Sequence, residues 1–183
     1  MNDELKTIYG RIESRCRAVS EQVSDWPCQK GCDACCRRLA EPPRATLAEW
    51  ESLLAAFARL EPLVQAAIRE RVSEMVRFSA QPQPPRHYVC PMLDRQSGAC
   101  LVYEGRLSAC RTYGYYVSRA KGAWCERVRL LAEEREVLLG NEDAVEAELS
   151  LLGPQQGIAE AFGIPAPAGP RQDGEGPDES SSR

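Results

Sequence analysis

The sequence predicts a small α+β domain that is mostly helical, with short strands and turns in its middle. Apolar residues recur at three- and four-residue spacing towards both ends of the chain, as they do on amphipathic helices. The stretch 86–125 instead combines cysteine, tyrosine and glycine with few long aliphatic side chains. A chain of 183 residues with one cysteine framework is expected to form a single domain, which we place at residues 1–163.

The first helix is predicted over residues 3–24, where six side chains form one apolar stripe. Cys16 lies on that stripe, and a cysteine in such a position packs as a small hydrophobe. We therefore interpret Cys16 as a core residue. The stripe consists of Leu5, Ile8, Ile12, Cys16, Val19 and Val23.

Two further helices are predicted within residues 46–79. Thr46 and Glu49 have the spacing of a capping box at a helix start. Pro62 occupies a position that proline tolerates, the first turn of a new helix. The pattern predicts a helical hairpin that covers the cysteine-bearing region.

The chain is predicted to be helical again up to about residue 162. Residues 164–183 are dominated by proline, glycine, serine and acidic side chains, which bury too little apolar surface to become ordered. We expect a disordered tail there. The core candidates before it are Leu130, Leu131, Val137, Leu138, Val145, Leu149, Leu151 and Leu152.

Nine cysteines need an explanation, because free cysteine is uncommon in ordinary domains. Their thiols could share a metal, form disulfides, or sit in a core. The sequence shows neither a secretory signal nor an apolar run that could span a membrane, so a cytoplasmic location is expected. Thiols stay reduced there, and the odd number also disfavours a complete disulfide set, so metal binding is the preferred interpretation.

The first cysteine array lies within residues 28–36. The spacing Cys32-x-x-Cys35 is typical of a turn that presents two sulfurs to one metal, and Gly31 allows a positive φ just before it. Adjacent residues of an extended chain point to opposite sides. Cys36 is therefore expected to diverge from Cys35, either to serve a second metal or to pack. The array comprises Cys28, Cys32, Cys35 and Cys36.

The second cysteine array comprises Cys90, Cys100, Cys110 and Cys125. Short β-prone runs around it predict a hairpin of residues 100–104 with 110–117. The only histidine, His87, adjoins a proline-rich loop, and we expect it to be exposed and not a ligand.

Basic residues concentrate in the two cysteine-bearing segments, although the whole chain has a formal net charge of −4. Residues 86–129 contain eight basic and three acidic side chains, and residues 28–44 contain four and two. Nearby cations favour thiolates and offset the charge of a metal–thiolate centre. A basic surface for an acidic partner or nucleic acid is the alternative, but no nucleic-acid motif accompanies the charge.

The order of these motifs resembles the YkgJ-type cysteine-cluster family, described as zinc- or iron-chelating proteins. The resemblance covers residues 28–125 and implies that eight cysteines are metal ligands, with Cys16 as an extra. It does not imply a reaction. The matching residues are Cys28, Cys32, Cys35, Cys36, Cys90, Pro91, Gly98, Cys100, Val102, Tyr103, Arg106, Cys110, Arg111 and Cys125.

The sequence thus predicts a protein that binds zinc or iron through these eight cysteines. Thiolate ligands suit zinc, iron and iron–sulfur clusters alike. One alternative is an iron–sulfur enzyme or redox protein distantly similar to flagellin lysine N-methylase, although this chain shows no glycine-rich methyl-donor motif and no histidine–glutamate zinc motif. A helical adaptor with purely structural thiols is another. A metal ion is the only partner that the sequence indicates; no membrane partner is expected.

Overall fold

The structure is a computed structural model that describes residues 2–119 and 125–165. Its N-terminal part consists mainly of one long helix. α1 (Asp3–Gln22) begins where the Asn2 side chain accepts hydrogen bonds from the amides of Glu4 and Leu5. Its apolar stripe is buried, as predicted, except that Cys16 is only half-buried. Residues 166–183 lie outside the described residues, so disorder of the tail stays a prediction.

The two predicted central helices are confirmed. α2 (Leu47–Phe57) starts with the expected capping box, in which Thr46 and Glu49 exchange side-chain and backbone hydrogen bonds. α3 (Pro62–Ser79) starts at the proline, whose missing N–H costs nothing at that position. Both helices contribute to the largest buried core, whose biggest members are Trp50, Leu53, Phe57, Ile68, Val72, Met75, Tyr88, Met92, Leu107, Ile158 and Phe162.

The C-terminal part is helical but interrupted. It contains α5 (Glu126–Glu134), α6 (Glu142–Ser150) and α7 (Ile158–Ala161). Among the predicted core residues, Leu149 and Val137 are buried. Leu130, Leu138 and Leu151 are exposed, so that part of the prediction is wrong. α5 turns Val128 and Ala132 inwards instead, and the other two leucines lie in connections beyond helix ends.

Two short sheets connect distant parts of the chain. β1 (Arg44–Thr46) pairs antiparallel with β4 (Gln155–Gly157), with Ala45 opposite Gln156. β2 (Tyr116–Val117) pairs in parallel with β3 (Gly140–Asn141). Seven helices and four short strands among the described residues confirm the predicted mostly helical α+β class. None of the helices within this part of the chain has both the length and the apolar character needed to cross a bilayer.

The predicted hairpin of residues 100–104 with 110–117 is wrong. The chain forms a short 3-10 helix (Tyr103–Gly105) and then α4 (Ser108–Thr112). Gly105 lies so close to α2 that a Cβ atom there would stand 2.9 Å from the Leu53 Cα. The contact holds this turn against the helix, so the segment cannot extend into a strand.

The buried carboxylate of Glu49 connects three elements. Its Oε2 accepts hydrogen bonds of 3.0 Å from the amide and the hydroxyl of Thr46. Its Oε1 accepts from the Ser108 amide at the start of α4, at 2.9 Å, and from the Tyr9 hydroxyl of α1, at 3.4 Å. Glu49 is 1% exposed, so its carboxylate has no access to bulk water. The carboxylate that caps α2 therefore also links α1, α2 and α4 through hydrogen bonds.

Replacing Glu49 by alanine should destabilise the protein by about 2–4 kcal/mol, because buried donors would lose a charged acceptor. The free energy of unfolding in urea is the measurement. Glu51→Ala on the exposed face of the same helix is the matched control and should change it by less than about 0.5 kcal/mol. Equal effects of the two substitutions would contradict the role of Glu49 in linking the three helices.

Candidate metal centre

The first cysteine array folds as two consecutive turns. Gly31 has φ +98°, as the sequence predicted. The second turn is closed by hydrogen bonds from the Arg37 amide to the Asp33 carbonyl, 3.0 Å, and from the Arg38 amide to the Cys35 carbonyl, 3.1 Å. The expectation that Cys35 and Cys36 diverge assumed an extended chain, whereas the chain turns here. The divergence of the two thiols therefore stays a prediction.

The start of the first array is held by residues that follow Cys110. The Trp26 indole N–H donates to the Gly114 carbonyl, at 3.0 Å. The Cys28 thiol donates to the Tyr113 carbonyl, at 3.1 Å, and the Tyr115 hydroxyl donates to the Cys28 carbonyl. Three contacts thus fix Cys28 against a segment 85 residues further along the chain.

The end of the first array is held by residues around Cys90. The Cys90 amide donates to the Cys36 carbonyl, at 2.7 Å. Leu39 and Tyr88 form an antiparallel bridge through two hydrogen bonds, of 2.9 and 2.8 Å. The first array is therefore clamped at both ends by segments of the second.

Eight of the nine cysteines line a single cavity of about 590 Å³. Seven of the eight predicted ligands are among them, drawn from both arrays. Cys125 is not part of the lining, but it packs in the same hydrophobic cluster as Cys28. The cysteines of the lining are Cys16, Cys28, Cys32, Cys35, Cys36, Cys90, Cys100 and Cys110.

The surroundings of these thiols favour the protonated form. Burial raises the pKa of Cys28 and of Cys110 to about 12. Cys110 has water-accessible surface, but it lies on the cavity wall and is otherwise surrounded by protein. A hydrogen bond with Cys35 lowers the pKa of Cys36, yet the hydrogen bond with Cys90 and burial raise it to about 12. Metal binding must therefore release protons from these thiols.

Electrostatic coupling divides the thiols into two neighbourhoods. After burial, the thiols that raise the pKa of Cys28 most are Cys32, Cys35 and Cys125. Cys36 is coupled first to Cys35 and then to Cys90 and Cys100, and Cys110 is coupled to Cys36, Cys35 and Cys100. Cys35 lies between the two groups. Each neighbourhood contains thiols from both arrays.

Basic side chains outnumber acidic ones on the cavity wall. Arg111 is buried and donates to the Glu13 carboxylate at 2.5 Å, to the Glu104 carbonyl at 2.6 Å and to the Arg106 carbonyl at 2.9 Å. These bonds fix the turn that precedes Cys110. The cations of the lining are Arg17, Lys30, Arg106 and Arg111, and its one carboxylate is Glu13.

Cys16 and His87 are outside the predicted ligand set, and of these two Cys16 lines the cavity and His87 does not. Cys16 packs against the cluster formed by α1 and also faces the cavity, where its thiol donates to the Arg111 carbonyl at 3.5 Å. Burial raises the pKa of Cys16 to about 11. His87 is exposed, as expected, and its Nε2 lies 3.4 Å from an Arg38 nitrogen, away from the thiol cavity.

The donor set fits a thiophilic metal. Thiolates from several cysteines are the ligands that zinc and iron centres use. Within residues 2–119 and 125–165, no three His, Cys, Asp or Glu side chains already stand in an arrangement that could hold an ion. The thiols line one space, so binding requires side-chain rotations that bring them to a common centre.

Gly114 is a site residue whose role the sequence did not reveal. Its φ is +82°, a conformation that glycine adopts without strain. A Cβ atom there would stand 2.6 Å from both the Cβ and the sulfur of Cys28. The sequence shows a glycine directly after Cys110-Arg-Thr-Tyr. It could not show that this glycine lies against Cys28, because the two residues are far apart along the chain.

Comparison with known proteins gives one family match. A family model with the signature CxxCxxCC, described as "Putative zinc- or iron-chelating domain", matches residues 27–128, more than half of the chain. Neither the curated proteins nor the solved structures contain a significant match.

Replacing Gly114 by alanine should displace Cys28 and destabilise the protein by about 2–3 kcal/mol. The alanine would have a strained backbone conformation at positive φ, and its Cβ would clash with Cys28. The free energy of unfolding of metal-free protein measures this effect. The matched control is Gly10→Ala in α1, where nothing lies within 4 Å of the added Cβ. That substitution should be stabilising by about 0.5–1 kcal/mol, so a loss of similar size in both variants would refute the close-approach explanation.

Proposed function

Because the chain belongs to the CxxCxxCC family, we propose that it binds zinc or iron through cysteine thiolates. The family match covers both cysteine arrays. The protein's function on this proposal is chelation itself, whether for structure, storage or delivery of the metal. The ligands are the eight cysteines named from the sequence: Cys28, Cys32, Cys35, Cys36, Cys90, Cys100, Cys110 and Cys125.

The observation that carries the proposal is the shared cavity. Seven of the eight thiols face one space, although they come from two segments that are 54 positions apart at their nearest cysteines, Cys36 and Cys90. Their convergence supports a common ligand.

We propose that the thiols form two four-sulfur sites. The Cys28 set consists of Cys28, Cys32, Cys35 and Cys125, and the Cys36 set consists of Cys36, Cys90, Cys100 and Cys110. Cys28 and Cys125 pack against one hydrophobic cluster, whereas Cys90 and Cys100 pack against another, and the Cys90 amide donates to the Cys36 carbonyl; these contacts support the division. Four sulfurs satisfy one tetrahedral ion, and the two sites are adjacent because Cys35 and Cys36 are consecutive residues. A bound ion would then add a cross-link between the arrays.

Metal analysis of purified protein tests the proposal. Wild type should contain about two zinc or iron equivalents, and an absorption spectrum of anaerobically prepared protein separates zinc from iron–sulfur centres. Cys32→Ser and Cys90→Ser, one from each set, should each lose about one equivalent and lower the melting temperature, because metal binding and folding are linked.

The matched control is Cys16→Ala. Cys16 faces the same cavity but belongs to neither set, so its loss should leave the metal content intact and cost on the order of 1 kcal/mol in packing. Unchanged metal in both serine variants would contradict thiolate binding. A metal equivalent lost in Cys16→Ala would show that the ligand assignment is wrong.

A further inference from the structure

Arg106 is held rigidly on the wall of the thiol cavity. Its guanidinium carbon lies 3.6 Å from the centroid of the Tyr103 ring, and its Nε donates to the Tyr103 carbonyl at 3.1 Å. The side chain is half-buried. The 3-10 helix that carries Tyr103 is itself fixed, because Gly105 lies directly against α2. The charge of Arg106 therefore has a defined position beside the thiols.

No carboxylate within the described ranges forms an ion pair with Arg106. The other fixed cation, Arg111, already pairs with Glu13, the one carboxylate of the cavity lining. Lys30 lies over the same tyrosine ring at 5.2 Å but is exposed. Arg106 is thus a fixed, uncompensated positive charge that faces a group of thiols.

Arg106 lies between two thiols of the Cys36 set along the chain. It follows the 3-10 helix that comes after Cys100, and it precedes α4, which contains Cys110. Cys100, Arg106 and Cys110 all line the cavity. The Arg106 charge also opposes the effect of burial, which raises the pKa of Cys100. The fold therefore places the cation beside the Cys36 set.

We propose that Arg106 is the counter-charge of the Cys36 set and raises its affinity for zinc or iron. This inference rests on the proposed function. A divalent ion with four thiolates carries a charge of about −2, which is costly to hold in a partly buried site without a cation. Arg106 does not touch the metal on this account; it is a positioning residue that stabilises the thiolate form of the ligands.

Titration of metal-free protein with Zn²⁺ in competition with a chromophoric chelator tests the role. Arg106→Gln should weaken the binding of one zinc equivalent by about tenfold and leave the other unchanged. Arg106→Lys keeps the charge and should retain most of the affinity. Arg59→Gln removes the same charge from an exposed site outside the cavity lining and should change neither equivalent.

Equal weakening of both equivalents, unchanged affinity in Arg106→Gln, or Arg106→Lys as weak as Arg106→Gln would overturn the proposal. A wild type that binds neither metal would instead overturn the proposed function.

Discussion

The structure depends on how the first cysteine array is held between two parts of the second. At one end, the carbonyl and thiol of Cys28 are bonded to Tyr115 and Tyr113. At the other end, the Cys36 carbonyl accepts from the Cys90 amide. These bonds involve main-chain groups, so they place the cysteines before any metal binds. The helices α2 and α3 lie within the loop that the Cys36–Cys90 bond closes, and they contribute to the largest core.

Charge in the cavity is balanced between two opposing effects. Burial and neighbouring thiols raise the pKa of the cysteines, which favours neutral thiols and a stable metal-free fold. Fixed cations such as Arg106 act in the opposite direction and favour thiolates. Two divalent ions with eight thiolates would carry a charge of about −4, and the lining has four cations against one carboxylate. The cations of the wall would therefore offset part of the charge of the loaded state.

Local signals predicted much of the fold, and long-range contacts account for the errors. Three sequence patterns depend only on interactions between residues close together in the chain, and the helices they predict are confirmed. They are the apolar stripe of α1, the capping box of Thr46 and Glu49, and Pro62 at the start of α3. The hairpin after residue 100 failed because Gly105 packs against α2, a contact that no local pattern encodes. The extended chain expected at Cys35 and Cys36 is a turn, which is closed by hydrogen bonds of the Arg37 and Arg38 amides.

The sequence named candidate ligands, but it did not show how they are arranged. Cysteine spacing identified the ligand candidates, since thiol chemistry is a property of the residue type. The sequence could not reveal that Gly114 makes room for Cys28, or that Glu49 joins three helices, because both roles arise from segments distant along the chain. Hydrogen exchange of the metal-loaded protein, with and without a chelator, tests the central claim most directly. If metal cross-links the two arrays, chelation should reduce protection in residues 28–39 and in residues 88–117 together. Loss of protection in only one of these segments would contradict the account.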